Sequence, residues 1–95
     1  MTAYFIADIE IIDPEMFEGY RRAVPAVDAM HGGRYIGRGG KTITLEGNWQ
    51  PSRLVIVEFA DMNGSLSWYT SPEHAPLLEL RKKCASSRAL ACEGV

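Results

Sequence analysis

The sequence predicts an α+β fold of the ferredoxin-like type, βαββαβ, with a four-stranded antiparallel sheet and two helices on one of its faces. Three observations predict it. Residues 3–11 and 53–60 are rich in β-branched and aromatic residues, as strands are. Each is followed by a stretch that opens with an Asp cap and repeats its apolar residues at helical spacing. The chain has 95 residues, the length of one domain, so residues 1–95 read as a single unit. Right-handed crossovers then bring the strands into one antiparallel sheet.

The first strand, residues 3–11, places Phe5, Ala7, Ile9 and Ile11 on one side and Tyr4, Ile6, Asp8 and Glu10 on the other. Asp13-Pro14-Glu15 starts the first helix, with Asp as cap, Pro in the first turn and an acid beside it. Phe17, Tyr20, Val24 and Val27 form its apolar side. Pro25 is expected to kink this helix or to end its regular hydrogen bonding. The helix stops before His31-Gly32-Gly33, where glycine supplies the C-terminal turn.

Residues 34–38 read as a second strand. Gly39-Gly40 is either a bulge in that strand or a two-residue turn. The bulge is the preferred reading, with the strand running on through Lys41–Leu45 and a loop over residues 46–51. Residues 53–60 are the clearest strand. Asp61-Met62-Asn63-Gly64 caps the second helical region, whose apolar side is Leu66, Tyr69, Leu77, Leu80 and Cys84. Ser71-Pro72 interrupts it, so a short helix to about Thr70 and a fresh start after Ser71 are expected. Residues 88–93 form the last strand.

Composition excludes several classes. The net charge of -2 and the absence of a basic face argue against nucleic acid as a partner. No apolar run is long enough for a membrane span, and nothing at the N-terminus resembles an export signal. Cys84 and Cys92 are too few for a disulfide framework, so a cytoplasmic location with free thiols is expected.

Two helices cover one sheet face only. The open face would carry Tyr4, Ile6, Leu54 and Ile56, an apolar patch of the kind soluble monomers avoid. Pairing of two copies through that face is the simplest cover, so a homodimer is expected. Asp8, Glu10 and Glu58 share the face and are costly to bury unpaired; Arg38 and Arg53 are candidate counter-charges.

An ordered set of short motifs now stands out: Gly32-Gly33-Arg34-Tyr35, Arg38-Gly39-Gly40, Leu45-Glu46-Gly47, Pro51-x-Arg53, Val57-Glu58-Phe59, Trp68-Tyr69-x-Ser71-Pro72-Glu73 and Glu93-Gly94. Over nearly its whole length the chain resembles the domain of unknown function 1330 family. The resemblance implies a ferredoxin-like fold assembled as a dimeric α/β barrel, and no established activity. The chain departs from the family's usual pattern at Ala60-Asp61, where Pro and Ser are common, and at His74, where Tyr is common.

Candidate chemistry is sparse. Gly40-Lys41-Thr42 is not a phosphate loop, because Tyr35 stands where the motif needs glycine and strand rather than helix follows. Gly37-x-Gly39 lacks the third glycine of a dinucleotide fingerprint, so no cofactor is indicated. His31, His74, Cys84 and Cys92 lack the close paired spacing of a metal site. His74 is a candidate acid–base residue, because histidine titrates near neutrality; the plainer alternative is an exposed ring at a helix start. Asp8 and Glu58 are candidate carboxylates on one face of adjacent strands; the alternative is that each pairs with an arginine across the dimer. Arg38, Glu46, Trp49 and Arg53 flank one long loop, as a ligand clamp or as a Glu46–Arg53 ion pair with Trp49 packed over the sheet end.

Two functions from different classes follow. The first is a dimer that binds a small apolar or anionic molecule between sheet and helices, with Arg38, Arg53, Trp49, Trp68 and Tyr69 as its contacts. The second is a cofactor-independent enzyme on small organic substrates, monooxygenase- or isomerase-like, as some dimeric barrels are. An expected pocket lies where the open face meets the restart of the second helix, lined by Asp8, Arg38, Glu58, Trp68, Tyr69 and His74.

Overall fold

Alternation in the first strand sets the plan of the sheet. In the computed structural model, which describes residues 1–95, β1 (Ala3–Ile11) buries Ala3, Phe5, Ala7 and Ile9 and leaves Tyr4, Ile6 and Asp8 half-buried on the other side. The chain continues as α1 (Pro14–Met30), β2 (Arg34–Arg38), β3 (Leu54–Phe59), α2 (Met62–Tyr69), α3 (Ala75–Cys84) and β4 (Ala85–Glu93). The strands form one antiparallel sheet in the order β2-β3-β1-β4. This is the α+β, ferredoxin-like arrangement expected from the sequence, and the helices pack on one face. Val55, Val57 and Phe59 of β3 point to that face, as the alternation required.

The helices begin and end where the local chemistry says they should. The Asp13 carboxylate accepts from Met16 N at 3.0 Å and the Asp61 carboxylate from Gly64 N at 2.7 Å, each capping a helix start. Pro25 does not end α1, which continues to Met30. Its missing N–H instead frees the carbonyl one turn earlier, at Arg21, and the Arg38 guanidinium donates to that oxygen at 2.8 Å. The Ser71 hydroxyl donates to Trp68 O at 2.8 Å and accepts from His74 N at 3.1 Å, so one buried side chain joins the end of α2 to the start of α3.

Two boundaries differ from expectation. β4 starts at Ala85, directly after α3, rather than near residue 88, because pairing with β1 extends from Ile11↔Ala85 to Ala3↔Glu93. β2 stops at Arg38, and Lys41–Leu45 is not a strand. β2 pairs only with β3, which begins at Leu54 beside Gly39, so residues 41–45 have no strand to bond and are exposed throughout. The register shift of β2 falls between Tyr35 and Gly37 instead of at Gly39-Gly40. Gly39 adopts φ 72° and ends the strand.

The core joins Phe5, Ala7 and Ile9 to Val55, Val57 and Phe59 across the sheet, and to Phe17, Tyr20 and Val24 of α1 and Trp68 of α2. No helix is long and apolar enough to cross a membrane. Both cysteines are free thiols, Cys84 fully buried and Cys92 exposed on β4.

Two measurements check this packing. A Cβ at Gly33 would lie 2.9 Å from the Phe59 ring and 3.0 Å from the Asp28 carbonyl oxygen, whereas one at Gly40 would meet nothing. Gly33→Ala is expected to lower stability in urea by about 1–3 kcal/mol, the usual cost of overpacking, and Gly40→Ala to lower it far less. Equal midpoints for the two would mean that the α1–β2 turn is not held against Phe59. Alkylation of native protein is expected to label Cys92 alone and to reach Cys84 only after denaturation.

Candidate functional site

The sheet separates the candidate residues into two groups. On the open face, Asp8 sits opposite Leu54 while Glu58 sits opposite Tyr4. Four residues of strand, about 13 Å, therefore separate the carboxylates, which is too far for a shared proton. Each is engaged within its own chain. Asp8 accepts from Trp49 Nε1 at 3.0 Å, Ser52 N at 3.0 Å and Arg88 at 3.5 Å. Glu58 pairs with Arg34 at 2.9 Å. The hydrogen bond from Trp49 above all, then those from Ser52 and Arg88, holds the Asp8 carboxyl below the usual range against a smaller opposing effect of burial. Asp8 thus fastens the long 39–53 segment to the sheet. Beside it an open groove of about 590 Å³ runs along Ile6, Trp49, Arg88 and Leu90.

On the helix side, a cleft opens between α1, β2 and β3. Arg21, Arg38, Arg53 and Arg81 line it together with Phe5, Phe17, Tyr20, Tyr35 and Trp68. Its volume is about 20 Å³, room for about one water. Arg21 is neutralised by Glu18. Arg38, Arg53 and Arg81 have no carboxylate within ion-pair distance. Arg81 is only 4% exposed and donates to the Tyr20 hydroxyl at 3.4 Å, with its guanidinium near the Phe5 and Tyr20 rings. Arg53 packs over Phe17, and its buried Nε has no hydrogen-bond partner. Arg81 is therefore buried without a counter-ion, which is costly, and the cleft carries positive charge that no carboxylate at ion-pair distance offsets at Arg38, Arg53 or Arg81.

The inner wall of this cleft adjoins a buried cluster in which Asp28, not singled out in the sequence, joins Trp68 and His74, which were expected together. Asp28, Trp68 and His74 are each 2% exposed or less. Asp28 Oδ1, Trp68 Nε1 and His74 Nε2 are buried without hydrogen-bond partners. The Trp68 and His74 rings lie 4.4 Å apart. Burial raises the Asp28 pKa, opposed by the neighbouring Tyr35 hydroxyl and Trp68 indole. Burial lowers that of His74, opposed by its hydrogen bond to the Tyr69 carbonyl. Burial also raises Tyr35, helped by Asp28 beside it.

Of the six residues expected around one pocket, Trp68, Tyr69 and His74 come together, with ring centroids 4.4 to 6.0 Å apart, but Asp8 and Glu58 do not join them. Asp8 and Glu58 lie on the open face. Arg38 and Trp68 share the helix-side cleft with Arg53. His74 is a core residue behind Trp68, not an exposed ring. Tyr69 lies against a separate apolar groove with Leu66 and Leu90. Trp49 belongs to the open face with Asp8, and Glu46 is exposed and makes no ion pair with Arg53. No three His, Cys, Asp or Glu side chains gather in a way that could hold a metal ion. Asp28 and Arg81 went unnoticed because charged residues at helical spacing read as solvated faces. Their one sequence signal is position: Asp28 follows Val24 by four residues and Arg81 follows Leu77 by four, each on its helix's apolar stripe.

Loss of the Asp8 anchor is measurable. Asp8→Ala is expected to leave the core folded and to speed proteolysis within residues 39–53. Because the folded carboxyl is depressed, its contribution is fully present above the ordinary aspartate value of 3.8 and lost as pH falls through the lower folded value. Acidification should therefore loosen the segment in wild type and change little in the variant. Cleavage at equal rates in both proteins at neutral pH would show that Asp8 is not the anchor.

Comparison with known proteins agrees with the architecture. The chain is similar to a protein of unknown function from Rhodopseudomonas palustris, with a TM-score of 0.77 and 16% identity over 99% of this chain and 82% of that one. It is also similar to SnoaB, a cofactor-independent oxygenase from Streptomyces nogalater, with a TM-score of 0.72 and 16% identity over 99% and 93% of the two chains. A third likeness is to a dimeric ferredoxin-like protein of unknown function from Thermobifida fusca, with a TM-score of 0.65 and 15% identity over 96% and 89%. At these identities the likeness concerns the fold. No curated protein matches. The sequence profile of the domain of unknown function DUF1330 matches residues 2–95, and the chain belongs to that family.

Proposed function

We propose that residues 1–95 act as one domain, in a cytoplasmic homodimer, and bind a small molecule with an anionic group and an aromatic or apolar body in the cleft between helices and sheet. The observation that carries this reading is the set of arginines without carboxylate partners, Arg38, Arg53 and Arg81, around an aromatic-walled cleft. A bidentate anion would satisfy guanidinium groups that the protein leaves unmatched, and Phe17, Tyr20 and Trp68 would cover the apolar part. The cleft as it stands has room for one water, so binding requires Arg38 and Arg53 to move outward. Arg38 is exposed and Arg53 half-buried, so both have room to do so.

The dimer is supported by the half-buried Tyr4, Ile6, Leu54 and Ile56 and the exposed Leu90 on the open face. Cofactor-independent oxygenation is the second reading. It rests on the likeness to SnoaB and on the buried polar cluster next to the cleft.

Sedimentation at micromolar concentration is expected to give a dimer; a monomer would remove that part of the reading. For the ligand, 4-hydroxy-3-nitrophenylacetate and its neutral acetamide analogue serve as probes. The acid is expected to bind about ten- to a hundredfold more tightly than the amide, and Arg53→Gln to erase most of that difference. Equal affinity of acid and amide for wild type would exclude the arginines as the anion site.

A further inference from the structure

We propose that Asp28, Trp68 and His74 form a proton-accepting site just behind the inner wall of the cleft, which takes the proton of a phenolic or enolic hydroxyl carried by the anionic ligand. The inference rests on the binding reading above and specifies which second functional group the ligand carries.

The argument starts from the imidazole. His74 Nδ1 lies 3.0 Å from the Tyr69 carbonyl oxygen, which can only accept, so Nδ1 carries a hydrogen. A neutral ring then bears its lone pair at Nε2. That atom is buried and has no partner. The indole beside it offers the complementary group, a buried N–H donor that has the Asp28 carboxyl nearby but makes no hydrogen bond of normal geometry, on a ring 4.4 Å from the imidazole. The third member, Asp28, keeps one carboxyl oxygen without a partner. A hydroxyl is the smallest group that satisfies this set, because it donates to Nε2 and accepts from the indole.

Position connects the set to the ligand. Trp68 is both a wall of the cleft and a member of the cluster, and Tyr35, which neighbours Asp28, is another wall. A ligand whose anionic group meets Arg38 or Arg53 would extend its other end toward Trp68, and its hydroxyl reaches His74 Nε2, which does not line the cleft, only if the Trp68 indole shifts aside as well.

The step is balanced within the site. The ligand O–H bond breaks, an N–H bond forms at His74 Nε2, and the electron pair stays on the ligand oxygen. That oxyanion accepts from Trp68 Nε1, as in other sites where fixed donors stabilise a developing charge. The imidazolium keeps its bond to Tyr69 O. The charged and titratable groups around it are Asp28 from α1, His31 from the turn after α1 and Arg81 from α3; Asp28 in its ionised form favours the imidazolium, while Arg81 and His31 oppose it. His31 is itself paired with Glu73 at 2.9 Å, which moderates its effect.

The test uses the full chain and 4-hydroxy-3-nitrophenylacetate, whose phenolate absorbs in the visible. At saturating protein, the bound probe is expected to show about a tenfold rise in its ionised-to-neutral ratio at a pH near its free midpoint, a downward shift of about one unit. His74→Gln and Trp68→Phe should each bind the probe and show most of that shift lost, with circular dichroism confirming that they fold. If one variant does not fold, the other carries the test. Probe that binds wild type with its free-solution titration overturns the proton-accepting site and leaves the anion site standing. Absence of binding to wild type overturns both.

Discussion

Trp68 is the contact on which the rest of the structure depends. Its ring meets Phe5 of β1 at 4.9 Å and Phe59 of β3 at 5.1 Å, and so ties α2 to the two central strands. Its carbonyl receives the Ser71 hydroxyl that starts the next helix, and His74 lies against its other side. One large side chain thereby ties α2 to the sheet and forms the inner wall of the cleft, while the backbone carbonyl of the same residue anchors the Ser71-Pro72 break. Its indole N–H is left unmatched at the centre of this packing. A buried donor without a partner is expensive, and a purely structural core would be served as well by a phenylalanine.

The two faces of the sheet treat charge in opposite ways. On the open face every candidate carboxylate has a partner: Asp8 has Trp49, Ser52 and Arg88, and Glu58 has Arg34. Between sheet and helices the guanidinium groups outnumber the acids that could meet them, and Asp28 there is raised by burial, against the opposing effect of the Tyr35 hydroxyl and the Trp68 indole, and makes no ion pair. Groups already satisfied are poor candidates for chemistry, and unsatisfied ones are good candidates. This contrast moves the functional reading from the open face, where charges first attract notice, to the interior.

Backbone accounting explains why one of those arginines is where it is. Pro25 removes an N–H from the middle of α1, and the carbonyl of Arg21 loses its helical partner. Arg38, from the end of β2, donates to it and rests over Tyr35 at 4.7 Å. A proline that would otherwise weaken the helix thus orients a cation at the mouth of the cleft. The cost of the missing bond is offset by a charge-assisted one.

The sequence by itself determined the order of the elements, the two faces of β1 and β3, and the caps at Asp13 and Asp61. These follow from periodicity and from side chains bonding their own backbone, which need no distant partner. It also carried the family resemblance that the profile match bears out. Strand limits were less legible: residues 41–45 alternate like a strand, but β3 begins at Leu54, beside Gly39, so a longer β2 has no strand to pair with, and β4 begins earlier because β1 is long enough to pair with it. The site was decided by tertiary structure. Strand register set Asp8 and Glu58 far apart, although their shared face was readable. Asp28, Arg81 and His74 look like surface residues in the sequence, and only helix packing buries them, because burial depends on what lies across the interface and not on the residue's own neighbours in the chain.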